Sequence, residues 1–270
     1  MTATVPVLCA PTLTKLPEAA GAVVVTGSHG GRYCGRLAVA ARLRAVIFHD
    51  AGIGLDAAGI AALALLAQCG IAAAAASHLS CRVGDTDDMM RRGRISHANA
   101  VASACGVASG LSCVAAAELL TRAPHRIAEI PDAVEARQVL RLSGARRAIV
   151  LIDSASLVDP VGDRGAILVT GSHGGLVGGD PAMALRADGF AAAFNDAGIG
   201  IEQAGLGRLA PLDGRGIAAI TVAAATARIG EARSTYEGVI SVVNARARAL
   251  GAAEGMRAGD VLERFARIKG

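Results

Sequence analysis

The heptapeptide VTGSHGG occupies residues 25–31 and returns unchanged at residues 169–175. A second shared signature follows each copy, FHDAGIG at 48–54 and FNDAGIG at 194–200. Repetition at a long spacing dictates architecture before any single residue is weighed, because it means one folding unit built twice. The correspondence continues outward. Gly27, Ser28 and His29 match Gly171, Ser172 and His173; Asp50 and Gly54 match Asp196 and Gly200. Arg82 and Gly84 match Arg228 and Gly230, and Ser96 and Asn99 match Ser241 and Asn244. The offset drifts only between 144 and 146 residues, so the gaps are short and belong in loops. The copies therefore run over 1–122 and 148–270. The linker between them, 123–147, reads as a short strand over 125–130 and then a helix in DAVEARQVLRL.

Within each copy the pattern alternates. Residues 22–26 and 166–170 are unbroken apolar runs, as a strand covered on both faces requires. The glycine loop follows, then a short helix, which in the second copy starts at Asp180-Pro181. A second strand (44–48 and 190–194) is closed by DAGIG. A helix (56–68 and 202–209), a third strand (71–77 and 217–223), a long helix carrying Ile-Ser-x-x-Asn, and a last helix (111–121 and 256–268) complete the unit. Such alternation predicts an α/β fold: two pseudo-symmetric copies of a β-α-β-α-β-α unit, with mostly parallel sheet and the cleft between the halves.

Composition narrows the class. The 270 residues are 53% hydrophobic but only 2% aromatic, with no Trp, so the core is Ala, Val, Leu and Ile. A net charge of +4 without a basic cluster, and few rings for base stacking, argue against nucleic acid. The longest apolar stretch, around 60–76, is broken by Gln68 and Gly70 and falls short of the ~20 residues a membrane span needs. The N-terminal segment lacks the cationic start of a signal peptide. Six cysteines without a CxxC pair fit reduced thiols and a cytoplasmic setting. A homo-oligomer is compatible with all of this.

Three loops per copy follow predicted strands, at the edge where open parallel sheets bind ligands. GSHGG is neither a Walker A loop nor a GxGxxG fingerprint. Its glycines, Gly30, Gly31, Gly174 and Gly175, suit an amide nest for an anion, with Ser28, His29, Ser172 and His173 projecting beside it. A tight turn with a satisfied histidine is the structural alternative. Asp50 and Asp196 end the second strands and suit an acid–base or orienting role, or an Asx turn. His49 faces Asn195 across the repeat, which suggests unequal roles for the halves. Arg82 and Arg228 suit bidentate binding of a carboxylate, or an ion pair with the acid three residues on. Ser96/Ser241 and Asn99/Asn244 are expected one helical turn apart. Cys81, beside Arg82 and near His78, is a nucleophile by neighbourhood, or simply a small apolar residue.

The expected catalytic set is thus Ser28, His29, His49, Asp50, His173 and Asp196. Gly30, Gly31, Arg82, Ser172, Gly174, Gly175, Asn195 and Arg228 bind substrate. His29, His49, Asp50, His173 and Asp196 are types that suit a divalent metal such as zinc or manganese, but no local ligand spacing supports one, so a metal-free site is expected and no cofactor is identified. These groups suit a small anionic or carbonyl substrate and hydrolysis of an amide or cyclic amide. A lyase or isomerase, and a non-catalytic binding protein for phosphate, nucleotide or carboxylate, are the alternatives.

Overall fold

The computed structural model describes residues 4–132 and 134–269; residues 1–3 and 270, at the outer ends of the two repeats, and Ala133, inside the predicted linker helix, lie outside it. The first half contains β1 (Val7–Ala10), β2 (Val23–His29), α1 (Arg32–Ala40), β3 (Ala45–His49), α2 (Ala61–Gln68), β4 (Ala72–Ala76), α3 (Thr86–Arg92), β5 (Ile95–Ala98), α4 (Ala100–Ala104) and α5 (Cys113–Leu120). The second contains β6 (Arg137–Leu140), β7 (Ile149–Ile152), β8 (Ile167–His173), β9 (Ala191–Asn195), α6 (Leu209–Gly214), β10 (Ala218–Val222), α7 (Ala232–Glu237), β11 (Ile240–Val243), α8 (Ala245–Ala249) and α9 (Ala258–Arg267).

Among the described residues each half forms one mostly parallel sheet, ordered β1-β2-β3-β4-β5 and β11-β10-β9-β8-β7-β6. Strands β5, β6 and β11 are the antiparallel edges. Both faces are covered. In the first half Val24, Val46 and Phe48 pack under α1 and α2, while Val23, Val25 and Ile47 pack under α3, α4 and α5. The second sheet repeats this, with Phe265 of α9 on one face and Phe194 against α6 on the other. Strand β4 is five consecutive alanines, all buried, although alanine favours helix. Small side chains let helices approach from both sides, and that packing overrides local preference.

Several expected elements differ. The linker holds a strand, not a helix: β6 pairs antiparallel with β7, and residues 125–130 are irregular. Ile-Ser-x-x-Asn lies not on a long helix but on edge strands β5 and β11, with Asn99 and Asn244 capping the short helices that follow. Strands β1 and β7, ahead of the glycine loops, go unpredicted. The Asp180-Pro181 start yields only a 3-10 turn, Pro181–Met183. No helix among the described residues is long and apolar enough to cross a membrane.

The halves meet tip to tip. A Cβ on Gly52 would lie 2.6 Å from Gly198 Cα, so the two DAGIG turns touch backbone to backbone. Around that contact Ala51, Val83, Ala197 and Ile229 form a small buried cluster drawn equally from both halves. Reciprocal ion pairs flank it: Arg82 Nη2 reaches Glu202 at 2.5 Å, and Arg228 Nη2 reaches Asp56 at 2.5 Å.

Candidate active site

A cavity of about 540 Å³ lies between the halves, lined from both sides by the glycine loops. Its volume falls in the range of small-molecule sites. The strand geometry aims the loops into it. Between Val25 and His29 the register of β2 against β3 slips, and β8 slips against β9 between Val169 and His173. The bulge turns Ser28, His29, Ser172 and His173 toward the cavity, as bulges near functional sites do.

The serine hydroxyls are anchored from behind. Leu13 N–H donates to Ser28 Oγ at 3.1 Å, and Ala155 N–H donates to Ser172 Oγ at 2.9 Å. Neither serine is hydrogen-bonded to a histidine among the described residues. His29 is fixed through its Nδ1, which accepts from Gly31 N–H at 3.1 Å. That bond defines the tautomer: the neutral ring carries its proton on Nε2, which has no partner among the described residues and is left to the cavity. Burial, then the neighbouring His49, lowers the His29 pKa to about 4. His173 is also held uncharged, by burial, then the Arg208 charge, then His29 and His49, against which the nearby Gly175 amide acts weakly; among the described residues its buried Nδ1 has no well-formed hydrogen bond. Each ring leans on the opposite half. A Cβ on Gly230 would stand 3.5 Å from His29 Cε1, and one on Gly84 would stand 3.3 Å from His173 Cε1.

Four glycine-loop amides are taken up within the protein rather than left for an anion. Ser28 N–H donates to Thr26 Oγ1, Gly30 N–H to the His49 carbonyl, Gly31 N–H to His29 and Gly174 N–H to the Asn195 carbonyl. The glycines are there for close approach: a Cβ would meet the Gly59 carbonyl at 2.8 Å from Gly30, and the Gly205 carbonyl at 2.3 Å from Gly174. Gly31 and Gly175 crowd the histidine rings in the same way, at 2.7 Å and 3.2 Å. At Gly30, Gly31 and Gly174 the expected substrate contact is therefore replaced by packing and internal hydrogen bonds.

The remaining expected site residues serve the joint between the halves. Asp50 Oδ1 accepts from His78 N–H at 2.8 Å and Gly52 N–H at 3.2 Å and contacts His78 Nδ1 at 2.9 Å, ordering the DAGIG turn. Its desolvation is outweighed by these bonds, so its pKa is lowered. Asp196 accepts from Gly198 and Ala224 N–H and lines a shallow depression at the tip contact, away from the main cavity. His49 and Asn195 are structural equivalents rather than opposites. His49 Nε2 contacts the Cys81 carbonyl at 3.1 Å and its Nδ1 accepts from Ala51 N–H; Asn195 Nδ2 donates to the Ala227 carbonyl at 3.0 Å and its Oδ1 accepts from Ala197 N–H. An imidazole and an amide here make the same two bonds, so their difference carries no division of labour. Arg82 and Arg228 lie outside the cavity lining, paired across the joint. Cys81 is buried in the core, where desolvation pushes its thiol up to about 12, the reverse of an activated nucleophile. Among the described residues no three metal-ligating side chains converge, and the five whose types suit a metal are divided between cavity and joint.

The cavity also contains groups the repeat does not announce. Arg208, 4% exposed, enters from the second half. Asp153 lines it with both carboxylate oxygens occupied, by Ala232 N–H at 2.9 Å and Ala136 N–H at 2.7 Å. Glu135, from the linker, lines it beside Tyr33, and burial raises its pKa. One signal was readable in sequence, Arg208 standing where the first copy has Ala62; the registers of β1 and β7 add that Asp153 stands where the first half has Pro11. The cavity is chemically richest where the copies disagree. Comparisons with protein-family models, curated proteins and solved structures find no match to this chain.

Proposed function

We propose that this protein is an enzyme acting on the carbonyl group of a small anionic metabolite, with hydrolysis of an amide or cyclic amide as its reaction. The His29–Gly31 bond carries this reading. A neutral imidazole whose Nδ1 is occupied by a backbone amide presents Nε2–H as a fixed donor, suited to a carbonyl oxygen that becomes an oxyanion. A pKa of about 4 keeps the ring neutral through the physiological range. His173, from the opposite half, is the complementary proton-transfer group. In hydrolysis, water attacks the carbonyl carbon as His173 takes its proton, His29 donates to the oxyanion that forms, and when that intermediate collapses the C–N bond breaks and His173 returns the proton to the leaving nitrogen. The absence of a serine–histidine bond among the described residues favours water over Ser28 as nucleophile.

A second reading, an isomerase or lyase, draws support from the two equivalent imidazoles: one group on each half suits removal of a proton at one face of a carbon and return at the other. The likeness of the halves in sequence supports internal duplication as their origin.

The test is turnover across a panel of cyclic amides, linear amides and 2-substituted carboxylic acids, followed by variants. His29→Ala lowers kcat by about 10²-fold or more, the scale of a lost oxyanion donor. Ser28→Ala lowers it by less than about tenfold, whereas a serine nucleophile would lose several orders of magnitude. Full activity in both His29→Ala and His173→Ala overturns the catalytic reading of the glycine loops, and no turnover across the panel overturns the enzymatic reading.

A further inference from the structure

We infer that Arg208 is the anchor for a substrate carboxylate, so that the substrates of this cavity are small organic acids held by their anionic end. The inference rests on the reading of the cavity as a small-molecule active site and names the class of compound it takes.

Four carbonyls already hold most of the guanidinium. Nε donates to the His173 carbonyl at 3.1 Å and to the Gly175 carbonyl at 3.0 Å; Nη1 donates to the Met183 carbonyl at 3.2 Å and to the Ala184 carbonyl. Those bonds fix its plane. Among the described residues Nη2 makes no hydrogen bond, and it is not sealed from the cavity that Arg208 lines. The Phe194 ring, 5.0 Å from the guanidinium carbon, backs the group from the core side.

The charge is uncompensated. Among the described residues no carboxylate lies within ion-pair distance of Arg208, while buried Asp88 and Asp163 are both paired to arginines. A buried cation without a counterion is costly unless something supplies the negative charge. The acids facing the cavity do not pair with it: neither Asp153, held by two backbone amides, nor Glu135, which faces Tyr33 and Ser154 and whose charge burial disfavours, is within ion-pair distance of Arg208. Lys15 and Arg186 line the same cavity and add to its positive potential; Arg186 donates to the Ser156 carbonyl at 2.7 Å.

The backbone does not require this arginine. Its amide donates to the Gly174 carbonyl at 2.8 Å, and the equivalent Ala62 amide donates to the Gly30 carbonyl at 2.7 Å, so the first half makes the same turn with a methyl group. There α1 fills the space, with Gly35 lying on Ala62. A carboxylate suits the single free edge better than a phosphate, whose three oxygens need more donors than glycine loops with occupied amides can offer.

The experiment uses the full chain and binding, not turnover. Malonate, other two- to six-carbon carboxylic acids, neutral malonamide and inorganic phosphate are titrated against it by calorimetry and by thermal shift. A carboxylate is expected to bind saturably and raise Tm, and malonamide is not. Arg208→Lys should weaken that carboxylate at least tenfold and Arg208→Gln abolish its binding, with folding checked by circular dichroism. Should both variants unfold, the wild-type Arg208 guanidinium ¹⁵N resonances should shift on titration. No saturable carboxylate binding, unchanged affinity in a folded Arg208 variant, resonances that stay put, or preference for phosphate overturns the inference. Carboxylate binding through Arg208 without any turnover in the panel would instead count against the enzymatic reading alone.

Discussion

Gly59 and Gly205 stand where a methyl group has no room: a Cβ would lie 2.2 Å from the Asp50 carbonyl oxygen in the first case and 1.9 Å from that of Asp196 in the second. Backbone atoms cannot swing aside as a side-chain end can, so Gly205→Ala should destabilise by about 3 kcal/mol or more. Gly214, the last residue of α6, has nothing within 4 Å of its would-be Cβ. Gly214→Ala should stabilise by about 0.5–1 kcal/mol through lower unfolded-state entropy. Urea midpoints for the two variants measure the contrast. His29 gives a second expectation. Its folded pKa of about 4 lies below the unfolded value of about 6.5, so the unfolded chain binds the extra proton first. Stability from this group is complete above about pH 7 and falls as pH drops through 6.5 toward 4, by up to about 3 kcal/mol. His173, shifted the same way, adds to the fall. His29→Gln should flatten the urea midpoint over that window relative to wild type; an unchanged slope would contradict the assignment.

Among the elements, the two buried asparagines do the most organising. Asn99 Oδ1 accepts from Ala73 and Ala102 N–H while Nδ2 donates to the Leu63 and Ile71 carbonyls, and Asn244 repeats the pattern on Ala219, Ala247, Leu209 and Ile217. Each ties a helix start, a central strand and the preceding helix together. Asn99→Ala leaves those groups unsatisfied and should lower stability by about 2–4 kcal/mol, read as a drop in Tm with unchanged far-ultraviolet dichroism. These residues also mark how far local pattern reaches. The repeat reveals the strands on either side of the glycine loops, because continuous Val and Ile runs have few other uses. It assigns Asn99 to a long helix, because four-residue edge strands are specified by the neighbour they pair with rather than by their own sequence. Helix-forming Glu135, Ala136, Arg137 and Gln138 read as helix for the same reason, yet β7 offers an open edge and the segment pairs there. The site is half legible: matching positions find Ser28, His29, Ser172 and His173, while Arg208 requires attention to a mismatch.

At the scale of the molecule the joint is narrow and mostly backbone. Gly52 has φ +74° and would carry its Cβ into Gly198, so Gly52→Val should force the tips apart. Hydrogen exchange should quicken at both DAGIG turns while the sheet interiors remain protected, and equal quickening everywhere would point to global unfolding instead. The exposed reciprocal pairs matter less: Arg228→Ala should leave the urea midpoint nearly unchanged.

The crossing of His29 onto Gly230 and of His173 onto Gly84 has a consequence for how a ligand is oriented. A pocket lying on a true dyad shows a ligand the same wall from both directions, so an unsymmetrical molecule enters head-first or tail-first with equal ease and the two poses are equivalent. Here the dyad relates the imidazoles and fails for the buried guanidinium, which has a methyl group as its counterpart. The acid end of a ligand then has one address, and two equivalent poses become one preferred pose.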